Sequence, residues 1–169
     1  FSNGGIIVAH APDFLFFKDT DGDDVADVRE VLNSKWGTRD THAGPSNLRY
    51  GFDNRIWGTV GYSAYDGPDW NKEGYFAQGV YSMKPDGTDV TFLHQFNNNT
   101  WGLGFNESGD VFGSTANNNP AFFCGFPVTG YAADEGLSAK MIADSATFHP
   151  ITPNIRQVDV FGGYTAGAG

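Results

Sequence analysis

A repeat with a period of 55 residues sets the frame for this chain. Leu48 and Leu103 stand in equivalent places, 55 residues apart. The first copy runs His42-Ala43-Gly44-Pro45-Ser46-Asn47-Leu48-Arg49-Tyr50, then Gly51-Phe52-Asp53-Asn54, then Arg55-Ile56-Trp57-Gly58-Thr59. The second runs Asn99-Thr100-Trp101-Gly102-Leu103-Gly104-Phe105, then Asn106-Glu107-Ser108-Gly109-Asp110, then Val111-Phe112-Gly113-Ser114. Each is a polar loop, a strand with a central Leu, a turn rich in Asp, Asn or Gly, and an aromatic-containing strand. Repeats of this length and texture point to tandem β-units.

The preceding text also matches. Gly5–Ala9 leads into Pro12-Asp13, and Gly79–Met83 leads into Pro85-Asp86-Gly87, a strong turn signal. Four strands per unit predict an all-β chain, a β-propeller fragment of about two four-stranded blades plus part of a third. The expected units are 5–66, 75–125 and an incomplete 126–169, together one partial propeller domain over 1–169. Ile155–Val160 is expected to be a strand of the third unit, and Ala132–Lys140 a short helix. Two blades and a part do not close a ring, so the expected partners are missing blades or the remainder of a longer chain. A start at Phe1 without an initiator Met agrees with a segment or a processed product.

Composition agrees with many short strands and tight turns. Aromatics are 15% of the chain and Gly contributes 23 residues. The net charge of −10 argues against a nucleic-acid partner, because phosphates repel an acidic surface. No apolar run approaches the roughly 20 residues that a membrane helix needs. Cys124 is the single cysteine, which excludes an internal disulfide. Its setting between Phe123 and Gly125 suits a small buried hydrophobe.

The densest chemistry lies in Asp19-Thr20-Asp21-Gly22-Asp23-Asp24-Val25-Ala26-Asp27. Carboxylates at relative positions 1, 3, 5 and 9 follow the spacing of a calcium loop. Position 7 would give the Val25 carbonyl, and Glu30 at position 12 is an optional ligand. The EF-hand glycine of position 6 is replaced by Asp24, and Gly22 supplies a turn instead. The flanks, Phe14–Phe17 and Val28–Leu32, are β-formers, so the loop is expected at a hairpin tip. Five Asp in nine residues repel one another strongly unless a cation offsets them. The expected ion is a structural Ca2+; the competing reading is a solvated acidic turn.

Asp40-Thr41-His42 offers a histidine beside a carboxylate, a pairing suited to a general base near neutral pH. A hydrogen-bonding surface histidine is the plainer alternative. His10 and His94 lie in strand-like text and read as structural. Trp36, Trp57, Trp70 and Trp101 could stack on sugar rings or fill the core.

Several motifs in order resemble one family. They are Phe17–Asp23, Asp40–Leu48, Asn97–Phe105, Ser114–Pro120 and Arg156–Gly169, covering nearly the whole chain. They look like the membrane-bound dehydrogenase family of Planctomycetes and Verrucomicrobia, itself similar to the soluble glucose and sorbosone dehydrogenases. The resemblance implies a propeller that uses pyrroloquinoline quinone (PQQ) to oxidise a sugar or polyol, in the periplasm or at the cell surface. It implies His42 as the base, with Asp40 beside it. It implies Asn98, Asn99, Trp101, Asn117 and Asn118 on the cofactor side. Asn47 and Asn98 stand where the quinoprotein motifs have Arg. The alternative function is a non-catalytic, calcium-stabilised propeller module that binds carbohydrate or protein.

Overall fold

The computed structural model describes residues 1–65, 76–96, 98–116, 121–124 and 140–143. The described residues form eleven strands and no helix. They are β1 Ile6–His10, β2 Asp13–Lys18, β3 Val28–Asn33, β4 Pro45–Tyr50, β5 Ile56–Val60, β6 Gly79–Met83, β7 Thr91–Gln95, β8 Thr100–Phe105, β9 Val111–Thr115, β10 Ala121–Cys124 and β11 Lys140–Ala143. All pairing between them is antiparallel. Three sheets result, ordered β1-β2-β3, β4-β5-β6-β7 and β8-β9-β10-β11. The described residues are therefore all-β, as the composition and turn signals predict.

Burial explains the strand sequences. The inner strands of the second sheet, β5 (Ile-Trp-Gly-Thr-Val) and β6 (Gly-Val-Tyr-Ser-Met), are buried at nearly every position. Both faces are covered, so neither strand needs a polar alternation. One core layer joins the first and second sheets through Phe14, Trp36, Ile56, Tyr65, Phe76, Tyr81 and Met83. Trp36 is its centre: its ring lies 4.5 Å from Tyr81 and 4.9 Å from both Phe14 and Tyr65. A second layer joins the second and third sheets through Val80, Leu93, Phe96, Leu103, Val111 and Cys124. Burial pushes the Cys124 thiol up to about 12, which suits an inert packing residue.

The sheets keep the period of the sequence repeat but not its phase. Leu48 and Leu103 are each the fourth residue of the first strand of a four-stranded sheet. The boundaries 5–66 and 75–125 cut across the sheets. β4 and β5 do not complete β1–β3; β5 pairs with β6 along its whole length, from Ile56↔Met83 to Val60↔Gly79. Similarity between segments fixes the spacing of units, whereas the long-range pairing across 61–78 fixes where a unit starts. Lys140, the expected last residue of the short helix, opens β11. Residues 132–139 and 155–160 lie outside the described residues, as do Trp70, Asn117 and Asn118.

The first sheet has one open face. Val8 faces Leu15 and Leu15 faces Val31, with Ile6 opposite Phe17 in the same row. Ile6, Val8 and Val31 are 47%, 38% and 51% exposed around Leu15, itself 6% exposed; Phe14 on the opposite face is fully buried.

Candidate functional site

Two constellations stand out at the ends of strands. The first is the loop between β2 and β3, closed at its base by the pair Lys18↔Val28. The chain reverses through Gly22 and Asp24, whose φ angles are +83° and +67°. Gly takes such an angle freely, and Asp is among the residues that tolerate it. Asp carboxylates then hold the backbone. Asp19 Oδ1 accepts from the amides of Gly22 (2.7 Å) and Asp21 (3.2 Å), and its Oδ2 from that of Asp24 (3.0 Å). Asp21 accepts from the Asp23 amide and Asp23 from the Val25 amide. Asp27 accepts from the hydroxyl and the amide of Thr20, at 2.7 and 2.8 Å.

This folding gathers three carboxylates. Asp19, Asp21 and Asp27 each offer an oxygen within 4.8 Å of the others. Such hard oxygen donors suit a cation of the Ca2+ class. The Gly22 amide, ahead of those of Asp24 and Asp21, holds the Asp19 carboxyl below the usual carboxylate range. The Thr20 hydroxyl, then its amide, does the same for Asp27. Both groups are thus ionised over the physiological range. Asp23 and Glu30 fall outside this 4.8 Å group; Asp23 Oδ1 accepts from the Val25 amide, and Glu30 sits in β3 opposite Phe16.

The second constellation lies where β4 and β8 begin. The Asp40–Ala43 turn is closed by the Ala43 amide donating to the Asp40 carbonyl at 3.1 Å. His42 donates its amide to Asp40 Oδ1 at 3.0 Å, and its Nδ1 lies 3.7 Å from the same oxygen. The His42 side chain is 90% exposed. The turn is bound to the segment after β5. Ala43 O accepts from the amides of Gly61 (3.0 Å) and Ser63 (3.2 Å), and the Asp40 amide donates to Ser63 Oγ at 2.9 Å.

That same segment holds the loop before β8. Asn99 Oδ1 accepts from the Tyr62 amide at 3.3 Å, and Asn98 Oδ1 accepts from the Tyr62 hydroxyl at 2.6 Å. Asn47, at φ +56°, donates to Ser46 Oγ, Thr59 Oγ1 and the carbonyl of Trp101. Trp101 leaves 43% of its surface in solvent. The structure therefore brings Asp40, His42, Asn98 and Asn99 to one end of the second and third sheets through Gly61–Ser63, with Trp101 tied to the same end by Asn47. These linking residues, Gly61-Tyr62-Ser63, carry no local motif.

The fit to PQQ can be judged from the donor set. Its carboxylates need cationic partners. The two positions where the quinoprotein motifs carry Arg hold neutral Asn47 and Asn98. The Asn47 amide is engaged with Ser46, Thr59 and Trp101, and the Asn98 oxygen with Tyr62. These positions do not fit the quinone, and no reaction step is derived through it.

Comparison with curated proteins and with solved structures finds no match. A family model does match, over residues 1–169. The chain belongs to that family, a domain of unknown function designated DUF7133.

Proposed function

We propose that this chain is a calcium-stabilised β-propeller module whose His42–Asn99 end is its carbohydrate-binding face. One observation carries the calcium part: three carboxylate oxygens, from Asp19, Asp21 and Asp27, converge within 4.8 Å at a hairpin tip. The ion is structural, since all three carboxylates lie on one hairpin loop that does not include the His42 turn. Consecutive sheets that pack through aromatic layers support the propeller reading. The open face of Ile6, Val8 and Val31 suits a further sheet of the same kind, the partner such a module needs. A periplasmic or cell-surface setting would supply Ca2+ at the concentrations that weak extracellular sites require.

Exposed Trp101 is the ring available to stack on a sugar, and the Asp40 carboxylate can accept from its hydroxyls. Binding of the full chain to a glycan array tests this face. Glycan binding that Trp101→Ala removes is the expected result; an array with no response, or one indifferent to Trp101, contradicts it.

Sugar or polyol oxidation with His42 as base is the second reading. The Asp40–His42 pair and the family resemblance favour it. It needs a quinone held by groups other than Asn47 and Asn98, so dye reduction by the full chain with and without added PQQ tests it. No turnover on a sugar panel, or turnover that survives His42→Ala, removes it.

A further inference from the structure

A cleft of about 450 Å³ opens at the other ends of β4 and β8, away from His42 and Asn99. It lies between the β4–β5 turn and the β8–β9 turn. It is lined by Phe52, Asp53, Trp57, Phe105 and Glu107, together with Ser108 and Gly109. The two turns are copies of one element: Phe52 and Glu107 are 55 residues apart, as are Asp53 and Ser108. The repeat has placed a ring at one copy and a carboxylate at the other, facing the same space.

The aromatic wall is a built corner. Phe105 meets Trp57 edge-on at 5.3 Å and 83°, and Phe52 edge-on at 6.1 Å and 85°. Trp57 and Phe105 are anchored in the second core layer. Beside Phe105, Phe52 still leaves 74% of its surface in solvent. The carboxylate of Asp53 is fixed by the Trp57 indole N–H, at 3.0 and 3.2 Å to its two oxygens. Among the described residues no basic side chain lines the cleft. Arg55, in the same turn as Asp53, is engaged with Asp89 at 2.8 Å and with Ser82.

Three rings and two carboxylates around one opening, without a cation of their own, complement a positive, partly apolar ligand. We infer that this cleft binds a small organic ammonium ion, the ring faces contacting its methyl or methylene groups and Asp53 and Glu107 offsetting its charge. A sugar is matched less well, because the cleft offers acceptors but few free donors. The site is separate from the His42 end and does not depend on the function proposed for it.

The test uses the full chain, calorimetric titration with tetramethylammonium chloride, and the indole N–H resonance of Trp57, assigned with Trp57→Phe. Saturable binding that shifts this resonance is expected. Phe52→Ala and Glu107→Gln, both surface changes, should each weaken it roughly two- to five-fold, the size of an exposed cation–ring or charge contact. The neutral isostere 3,3-dimethylbutanol should bind more weakly than choline. Equal affinity for the neutral compound, affinity unchanged in both variants, or a response only to phosphocholine vesicles or glucose would each overturn the proposal.

Discussion

Asn99 reaches the Tyr62 amide across Gly61, at a point where a methyl group on residue 61 would lie 1.8 Å from Asn99 Oδ1. The same methyl would meet the Ala43 side chain at 3.0 Å. Gly61 is thus the hinge pin between the His42 turn and the Asn98–Asn99 loop. The absence of a side chain there lets two loops from different sheets share one backbone segment.

Gly61→Ala should separate them. The clash falls on the Asn99 side chain and on buried Ala43, so relief breaks the Asn99–Tyr62 bond or shifts the His42 turn. Overpacking of this kind costs about 1–3 kcal/mol. Urea unfolding should show that loss, and the amide resonances of His42 and Asn99 should both move. Stability within error of the parent would mean that the two loops are not coupled through residue 61.

His94 makes the fold acid-sensitive. It is fully buried in β7, and neither ring nitrogen has a hydrogen-bond partner among the described residues. Burial pulls its pKa down from 6.5 to about 4. The unfolded chain therefore takes up a proton below about pH 6.5 that the folded chain refuses until about pH 4. Stability is complete above the unfolded value and falls as pH drops through this window. The loss reaches about 3 kcal/mol at most. In His94→Leu the slope of unfolding free energy between pH 6.5 and 4 should be shallower. An unchanged slope would clear His94 of this role.

Arg55 sets the acidity of Asp89. Its guanidinium donates to Asp89 Oδ2 at 2.8 Å and, with its charge, holds that carboxyl below the usual range; Lys84 adds a weaker pull. Arg55→Ala should let the Asp89 pKa rise toward the ordinary carboxylate value, as read from its carboxyl carbon shift against pH. Asp89 is exposed, so the effect on stability should be small and screened by salt. An Asp89 pKa unmoved by the substitution would assign its acidity to the turn instead.

The sequence disclosed local chemistry better than long-range pairing. Leu48 and Leu103 revealed the 55-residue period, because each copy carries its strand and turn in contiguous text. The phase was hidden, since Trp57 facing Ser82 and Thr59 facing Val80 are pairings across a long connection. The carboxylates of Asp19, Asp21 and Asp27 were legible for the same reason as the period: their convergence depends on one short loop. Asp23 and Glu30 fit the spacing but lie outside the 4.8 Å group, Glu30 on strand β3. The Gly61–Ser63 clamp was not legible, because its Tyr62 amide and its Tyr62 and Ser63 hydroxyls find partners 23 to 37 residues away. Trp36 and Trp101 show the same limit. Both are tryptophans in polar text, but one is the centre of a core layer and the other is open to solvent.

Calcium titration of the purified full chain tests the central claim most directly. Calorimetry after chelation should show one saturable site, with a Kd of about 0.1 to 1 mM, as for extracellular modules. Ca2+ at ten times Kd should add about 1.4 kcal/mol to stability and raise Tm accordingly. Asp19→Asn and Asp27→Asn should abolish the heat and the Tm rise while leaving the strand signature in circular dichroism. A chain that takes up no Ca2+ at millimolar concentration, or whose uptake survives both substitutions, would show that the Asp19–Asp27 loop is a solvated acidic turn.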